Sequence, residues 1–420
     1  MTLFFPPTGG GGVQRPLKFA GHLAQLGFET YVVAPDDSKR PERDDSLPLP
    51  PQVRVLRARN FSPATRLLGV ELYGASGLQR LAVHARFGVR RALAPDPSVV
   101  WILTALPVVL RLIRNARIDV VLTTSPPPSV NLIGAAAKRL TGVRWVADVR
   151  DSIAFNPHRR WDVRGEPAVA RLVATYADAV VAASQGIAAE MKTLGGGEKV
   201  EVIESGCDFE EFAGHSYRRG DCLRITHTGN FLGRRDPRPF LDALASTSPD
   251  VVARFVGNFR QRDLDYAHAL GLGDRLELIS FVSRHDALAL QRDSDVLLLL
   301  VPEADGRGRS VLTGKLFEYL AARRPILAAV PRDGEAAALI RRAGAGVVVA
   351  PDDVEGLAAA VRGLRDRWLE GPLDDVVLPS ELEATLSYRA RVERLAEVLN
   401  DVASVAPTDG PHGRRGRHVR

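Results

Sequence analysis

A lysine and a glutamate three residues apart are the first candidates for binding a ligand. Lys315 and Glu318 share one side of a helix that is predicted to begin with Ser310 and Thr313. The backbone N–H groups and the positive dipole end at a helix start attract an anionic phosphate. The carboxylate can accept hydrogen bonds from hydroxyls such as those of a ribose. The same spacing also fits an ordinary amphipathic helix with a surface lysine and a surface glutamate.

A run of glycines follows the first predicted strand. The glycines of FPPTGGGGVQR, residues 5–15, let the backbone approach a ligand closely and adopt positive φ. The Gly-x-Gly-x-x-Gly fingerprint of dinucleotide-binding proteins is not met, because Gln14 or Arg15 stands where the third glycine belongs. A flexible tight turn is the alternative interpretation.

Two carboxylates follow a strand predicted over residues 144–149. Asp148 and Asp151 flank Arg150 at the end of this strand. Carboxylates at a strand end that faces a cleft are candidates for binding substrate hydroxyls or for proton transfer. An Asp–Arg pair that only holds the loop together is the alternative.

Two adjacent arginines follow the strand that opens the second half. In THTGNFLGRRDP, Gly229 and Asn230 come directly after the strand, and Arg234 and Arg235 follow. Glycine permits close approach of a ligand, and the guanidinium groups can neutralise a diphosphate. Plain surface charge is equally compatible with the arginine pair.

The elements that position these residues alternate strand and helix twice along the chain. This alternation predicts an α/β fold of two Rossmann-like domains with parallel sheets, which bind ligands at the carboxyl ends of the strands. The predicted organisation is an N-terminal domain over 1–205, a linker over 206–222, a C-terminal domain over 223–379, a helix crossing back over both domains at 380–403 and a disordered basic tail over 404–420. The predicted strands are 3–5, 30–35, 53–58, 119–124, 144–149, 179–184, 200–205, 223–229, 251–257, 276–281, 295–301, 325–330 and 346–350.

Composition narrows the class of protein. The net charge of +6 fits an anionic ligand or a membrane surface, and no aromatic-and-basic motif indicates nucleic acid. Two cysteines fit a reducing cytoplasm, and neither has the spacing of a zinc site. The N-terminus lacks the features of a signal peptide, and the apolar stretch 98–110 is too short to span a bilayer. A cytoplasmic protein is expected, with the Arg-rich segment 80–117 either contacting anionic lipid at the inner membrane face or forming helices with a solvated arginine face.

Four segments carry a resemblance to a known family: FPPTGGGGVQRPLKFAGHLAQLG, SPPPSVNLIGAAAKRLTGVRWVADVRD, VIESGCDFEEF and LTGKLFEYLAARRPILAAV. Together they resemble the family-4 glycosyltransferases of the GT-B fold, most closely the bacterial subgroup that builds surface polysaccharides and other glycoconjugates. The third segment is similar to the family's Gly-x-Asp-x-x-x-Phe signature, here Gly206, Asp208 and Phe212. The resemblance covers roughly residues 3–400.

The resemblance implies a retaining transfer of a sugar from a nucleotide-diphosphate sugar to the hydroxyl of a glycan or lipid-linked acceptor. It implies that the N-terminal domain binds the acceptor, that the C-terminal domain binds the donor, and that neither a metal nor another cofactor is needed. Base choice is expected to rest on loop contacts near residues 281–284. The implied donor-binding residues are Gly10, Gly11, Gly12, Gly229, Asn230, Arg234 or Arg235, Ser310, Thr313, Lys315 and Glu318, and the implied catalytic residues are Asp151 and Asp148.

The sequence departs from the family pattern at two positions. Ser310 stands where many members have a glutamate that contacts the donor sugar, and Asp148 and Asp151 occupy the neighbourhood in which many members have a histidine. A nucleotide-sugar epimerase of the same fold and a non-catalytic nucleotide-sugar-binding subunit are the alternative functions. An NAD-dependent oxidoreductase is a more distant one, because its glycine fingerprint fails.

Overall fold

Apolar strands and amphipathic helices alternate along both halves of the chain, and the strands of each sheet pair in parallel. The computed structural model describes residues 1–36, 43–62, 93–154, 165–231 and 234–405. The strand Val296–Leu300 is buried along its whole length, as expected when helices cover both faces of a parallel sheet. The predicted α/β fold with two Rossmann-like domains is confirmed.

The N-terminal sheet has a two-stranded and a four-stranded part that meet at the start of the chain. Thr2 bridges Thr124 in one part, and its N–H donates to the carbonyl of Val33 in the other at 3.2 Å. The regular strand predicted over 3–5 is therefore wrong, because the chain pairs at Thr2 and then turns toward the glycine run. The paired strands are β1 (Tyr31–Asp36) with β2 (Arg54–Arg59), and then, in spatial order, β3 (Val120–Ser125), β4 (Arg144–Val149), β5 (Ala179–Ala182) and β6 (Val200–Val202).

Local signals set the ends of the helices around this sheet. Gly142, with φ of 75°, ends the helix that precedes β4, because only glycine adopts this left-handed conformation without strain. Ser184 begins the helix after β5, since its hydroxyl accepts the N–H of Ile187 at 3.3 Å. The helices are α1 (Gly11–Gln25), α2 (Ile102–Ala116), α3 (Ser129–Thr141), α4 (Glu166–Tyr176) and α5 (Gln185–Met191).

The C-terminal sheet has six strands in the order β12-β11-β10-β7-β8-β9. Its strands bury both faces: Leu297 and Leu299 belong to one apolar core, and Leu298 and Leu300 belong to another on the opposite face. The strands are β7 (Leu223–Thr228), β8 (Val251–Val256), β9 (Leu276–Ile279), β10 (Val296–Leu300), β11 (Ile326–Ala329) and β12 (Gly346–Val349). The helices are α6 (Arg238–Ala245), α7 (Gln261–Ala269), α8 (Arg284–Arg292), α9 (Gly314–Ala322), α10 (Glu335–Ala343) and α11 (Val354–Glu370).

The chain crosses back over both domains after α11, as predicted, but in two helices, α12 (Ser380–Leu386) and α13 (Tyr388–Ser404). Leu382 of α12 lies in a core of the C-terminal domain. Val392 and Leu395 of α13 lie in a core that includes Val146 of the N-terminal sheet. The second of the two helices therefore returns to the first domain.

The break between these helices pairs with the linker. Ser387 has an extended backbone with ψ of 142°. The N–H of Cys207 donates to the carbonyl of Leu386 at 3.0 Å, and the N–H of Tyr388 donates to the carbonyl of Cys207 at 3.1 Å. A single uninterrupted helix over 380–403 is therefore a wrong prediction, because these two hydrogen bonds with the linker replace helical ones.

The apolar helix of the N-terminal domain is longer than the sequence indicated. A 3₁₀ turn, Pro97–Trp101, continues directly into α2, so the predicted short stretch becomes a helix of 20 residues that contains an 18-residue window with a mean hydropathy of 1.6. By length and composition it could cross a membrane, although one such helix among the described residues is weak evidence for a span. Residues 80–92 of the Arg-rich segment and residues 406–420 of the basic tail lie outside the described residues.

Candidate active site

The two domains face each other across a cleft of about 570 Å³ at the carboxyl ends of their strands. This is where ligands bind in open parallel sheets. Two of the predicted site residues, Asp148 and Arg234, do not line the cleft. Those that do are Gly10, Gly11, Gly12, Asp151, Gly229, Asn230, Arg235, Ser310, Thr313, Lys315 and Glu318.

One helix from each domain begins at this cleft without a side-chain cap. Gly10, with φ of 90°, precedes α1, and Thr313 precedes α9; neither helix start has a side-chain cap. The hydroxyl Oγ1 of Thr313 is also buried without a hydrogen-bond partner. Uncapped helix N-termini present free N–H groups and a positive dipole end, so both helix starts favour an anionic group in the cleft.

Ser310 does not begin the helix, contrary to the sequence prediction. It ends a 3₁₀ turn, Arg307–Ser310, and α9 begins four residues later at Gly314. Ser310 packs directly against Gly186 at the start of α5 in the other domain and leaves no room for a side chain on Gly186. The Glu335 carboxylate accepts the N–H groups of Gln185 and Gly186 at 2.9 and 2.8 Å. The serine position therefore belongs to a contact between the domains.

Lys315 is a partly buried cation that lines the cleft. No described residue forms a hydrogen bond or ion pair with its ammonium group. Burial and the nearby charge of Arg235 lower the pKa of Lys315 to about 7. A Cβ atom on Gly229, whose φ is 115°, would lie only 2.7 Å from Lys315 Nζ. The absence of a side chain on Gly229 therefore leaves room for Lys315. An anion bound in the cleft would favour the charged form of this lysine.

Arg235, rather than Arg234, is the arginine that faces the cleft. Its guanidinium donates from Nε to the carbonyl of Leu300 and from Nη1 to the carbonyl of Asn230, both at 3.1 Å. Burial lowers the pKa of Arg235, and the charge of Asp151 in the facing domain partly offsets this. Arg234 instead pairs with Asp305 at 2.7 Å, outside the cleft.

A buried histidine packs near these two cations. Nδ1 of His227 lies 2.8 Å from the carbonyl oxygen of Leu298, and Nε2 is buried without a partner. Burial and the charges of Lys315 and Arg235 lower the pKa of His227 well below its usual value. The imidazole is therefore neutral, and Lys315 and Arg235 supply the positive charge on this side of the cleft. Sequence reasoning missed His227, because a lone histidine in a strand carries no signal of its own.

Glu318 is held by Arg284, which the sequence placed only in a loop expected to contact the base, and by Gln291, which the sequence did not single out. Arg284 Nη1 donates to Glu318 Oε1 at 2.8 Å, and Gln291 Nε2 donates to Oε2 at 3.1 Å. Burial by itself would lower the pKa of Arg284, but the carboxylates of Glu318 and Glu211 outweigh burial and raise it. The spacing of Arg284 and Gln291, two helical turns apart on α8, places both on the same side of that helix, but only the fold shows that they meet Glu318.

Asp148 is fully buried in an ion pair rather than exposed to a substrate. Its Oδ1 accepts from Arg15 Nη2 at 2.7 Å and from Arg15 Nε at 3.0 Å, and both side chains are at most 2 % exposed. The predicted catalytic role for Asp148 does not fit this position. An Asp–Arg pair does hold this region together, as the alternative interpretation proposed, but the arginine comes from α1 rather than from the neighbouring Arg150.

Arg150 and Asp151 have separate surroundings. Arg150 is partly buried and donates to the carbonyls of Gly12 at 2.6 Å and Ser125 at 3.2 Å, so it fixes the glycine loop. Asp151 is partly exposed and lines the cleft on the N-terminal side. Of the two predicted catalytic carboxylates, only Asp151 can meet a ligand in the cleft.

The described residues contain no group of three or more histidine, cysteine, aspartate or glutamate side chains that could hold a metal ion.

Two family models match the chain, one after the other. The model described as Glycosyltransferase Family 4 matches residues 9–211. The model described as Glycosyl transferases group 1 matches residues 223–367. Together they span both domains of the structure. No curated protein sequence matches the chain.

Solved structures of similar fold align over nearly the whole chain. Sucrose-phosphate synthase from Thermosynechococcus elongatus is 15% identical, with a TM-score of 0.63 and 92% of each chain covered. HepE of Anabaena in complex with UDP and glucose is 17% identical, with a TM-score of 0.63, over 95% of this chain and 99% of that one. Trehalose-6-phosphate synthase, studied for glycosyl transfer with retention, is 12% identical, with a TM-score of 0.62, over 93% of this chain and 97% of that one. At these identities the likeness shows the fold.

Proposed function

Because the chain belongs to the family-4-like glycosyltransferases of the GT-B fold, we propose that it transfers a sugar, with retention, from a nucleotide-diphosphate sugar to an acceptor hydroxyl. Of the functions considered from the sequence, the glycosyltransferase is the one that both family models support. The proposal names the donor class, the residues that bind it and the type of acceptor.

The observation that carries the proposal is the convergence of charges in the cleft. Lys315 and Arg235 lie in the cleft without a carboxylate partner among the described residues, next to the uncapped start of α9. These groups suit the diphosphate of the donor. Glu318, 18% exposed at its side chain, suits the two hydroxyls of a ribose. HepE, which shares the fold, was solved with UDP and glucose, which supports a uridine diphosphate sugar as the first donor to test.

The cations would act most strongly as the bond to the sugar breaks. Negative charge accumulates on the leaving diphosphate in the transition state, and fixed cations and helix dipoles stabilise charge that develops there. Lys315, neutral in part near pH 7 when the cleft is empty, would be fully charged beside the diphosphate. No metal ion is needed for this role, and we propose that the enzyme works without one.

The acceptor would approach from the N-terminal domain. The starting glycines of α1 and the Asp151 carboxylate line that side of the cleft. We propose that Asp151 contacts the reacting sugar or the acceptor hydroxyl. Retention is supported by the shared fold with trehalose-6-phosphate synthase. A glycan or lipid-linked acceptor at the inner membrane face, in the synthesis of a surface polysaccharide or glycoconjugate, is proposed from the resemblance in sequence.

A nucleotide panel tests the donor site. Thermal shifts with UDP, GDP, ADP and NAD should show stabilisation by one nucleoside diphosphate and none by NAD, since a ligand that binds only the folded state raises its stability. Glu318→Ala should weaken that binding by roughly 1.5–3 kcal/mol, because a charge-assisted hydrogen bond is lost. EDTA should leave the wild-type shift unchanged.

The matched control is Glu370→Ala, which removes an exposed carboxylate at the end of α11. It should bind the nucleotide like the wild type. If only NAD stabilises the protein, or if none of the nucleotides does, the donor assignment is wrong. If EDTA abolishes the shift, binding requires a metal ion, contrary to the proposal.

Asp151→Asn separates a catalytic role from a binding role. If Asp151 contacts the reacting groups, the variant should lower turnover about 10²-fold or more, while donor affinity changes little. The measurement is UDP release from UDP-sugars, with and without candidate acceptors, over a range of donor concentrations. Equal losses in kcat/KM and affinity with unchanged kcat would make Asp151 a binding residue.

A further inference from the structure

Arg284 connects the Glu318 carboxylate to the rest of the protein. Its Nη1 donates to Glu318 Oε1 at 2.8 Å. Its Nη2 and Nε donate to the two oxygens of Glu211, in the linker, at 2.6 and 3.1 Å. The Arg284 side chain is 13% exposed. One planar group therefore spans two carboxylates in a fixed geometry, which the fork of an arginine can do and the point charge of a lysine cannot.

The position of Arg284 does not depend on Glu318 alone. Glu211 also accepts from Lys18 Nζ of α1 at 3.0 Å, so the linker carboxylate is itself anchored to the N-terminal domain. The backbone N–H of Arg284 donates to Asp44 Oδ2, from the same domain, at 2.8 Å. These contacts hold the arginine from the linker side and leave Nη1 for Glu318.

A second residue of α8 completes the support of Glu318. Gln291 Nε2 donates to Glu318 Oε2 at 3.1 Å and to Thr228 Oγ1 at 3.0 Å. Each carboxylate oxygen of Glu318 thus has one protein donor. A carboxylate has about four lone-pair sites, so each oxygen of Glu318 can still accept one hydrogen bond from a ligand hydroxyl. Glu318 and Gln291 both line the cleft.

We propose that Arg284 is a positioning residue of the donor site, which orients the Glu318 carboxylate toward the two ribose hydroxyls of the nucleotide. The inference rests on the proposed function, since it assigns the ribose to Glu318. Arg284 acts through Glu318 and needs no contact with the nucleotide. Without it, Glu318 and Glu211 lose their shared counter-charge, and no other residue in the described part of the chain donates to Oε1 of Glu318.

Two nucleotides separate positioning of Glu318 from general support of the fold. UDP carries both ribose hydroxyls, and its 2′,3′-dideoxy analogue carries neither. Wild-type protein should bind UDP at least about tenfold more tightly than the analogue, because the hydroxyls donate to a charged group. Glu318→Gln and Arg284→Met should both reduce this ratio toward one, and the double variant should reduce it no further. Titration calorimetry measures the affinity of the wild type, the two single variants and the double variant for each nucleotide.

Arg292→Met is the matched control, because Arg292 lies on the same helix and pairs with Asp375 at 2.6 Å, away from the cleft. It should keep the wild-type ratio. Arg284→Lys retains the charge without the fork and should restore the ratio in part. This variant also tests the proposal if Arg284→Met fails to fold, as judged by circular dichroism.

The outcomes distinguish this inference from the function on which it rests. If Arg284→Met weakens UDP and its analogue equally, so that the ratio is unchanged, Arg284 supports the fold only and the inference is wrong. If Glu318→Gln binds UDP and its analogue equally while the Arg284 variants keep the wild-type affinity ratio, the donor site is supported and only the role of Arg284 is wrong. Failure of the wild type to bind UDP or another nucleoside diphosphate would overturn both.

Discussion

Lys315→Met is expected to weaken binding of the nucleoside diphosphate by about 100-fold at pH 6.5, where the lysine is charged. The ammonium group lies in the cleft with no hydrogen-bond or ion-pair partner among the described residues, so a diphosphate would be the first anionic group in direct contact with it. Turnover with a nucleotide sugar should fall further, by about 10²–10³-fold, because the charge on the leaving group peaks in the transition state. Calorimetry of the nucleotide and steady-state release of UDP measure the two losses.

The affinity of the wild type should also depend on pH in a defined direction. The pKa of Lys315 is lowered to about 7 in the empty cleft, and an adjacent diphosphate raises it again by favouring the charged form. Binding therefore takes up a proton above pH 7. Affinity should decline as the pH rises through 7, and the decline should approach about tenfold per pH unit above pH 7 until the pKa of the bound state is reached.

The control for this pH dependence is Lys192→Met, which removes an exposed lysine of the N-terminal domain. This variant should keep both the affinity and the pH profile of the wild type, whereas Lys315→Met should lose the decline above pH 7. A Lys315→Met protein that binds the nucleotide as tightly as the wild type would place the diphosphate elsewhere. A decline that survives in that variant would have to come from a different group.

Asp148→Asn is expected to lower the free energy of unfolding by about 3–5 kcal/mol, because it leaves the buried charge of Arg15 without its counter-charge. The amide keeps the shape of the carboxylate, so the change isolates the charge. For a domain of this size the loss corresponds to a fall of about 10 °C in Tm. Calorimetric melting of wild type and variant measures it.

Asp151→Asn is the matched control for stability, since it makes the same change three residues later at a partly exposed side chain. It should shift stability by no more than about 0.5 kcal/mol. Adding Arg15→Met to Asp148→Asn should recover part of the loss, because no unpaired charge remains. An Asp148→Asn protein as stable as the wild type but without turnover would instead return Asp148 to a catalytic role.

Local sequence patterns were sufficient for the architecture. Strand–helix alternation identified both parallel sheets, because side-chain burial in strands and helices has a period that neighbouring residues reveal. The glycines at 10–12 and 229, the charged pair Lys315 and Glu318, and the position of these groups after strands all follow from short segments. The strand expected at 3–5 and the unbroken helix expected over 380–403 failed, because pairing with Val33 and Cys207 outweighed local preference.

What the sequence determined by itself is the fold, the cleft at the strand ends and the presence there of cations and a carboxylate. The tertiary structure decided which charges are free. Asp148 pairs with Arg15 across 133 positions of the chain, which takes a predicted catalytic group out of the cleft. Arg235 faces the cleft while Arg234 turns to Asp305, and Glu318 is oriented by Arg284 from another helix. Ion pairs join residues that are distant in sequence, and their partners depend on how the elements pack, so no local spacing rule could have identified them.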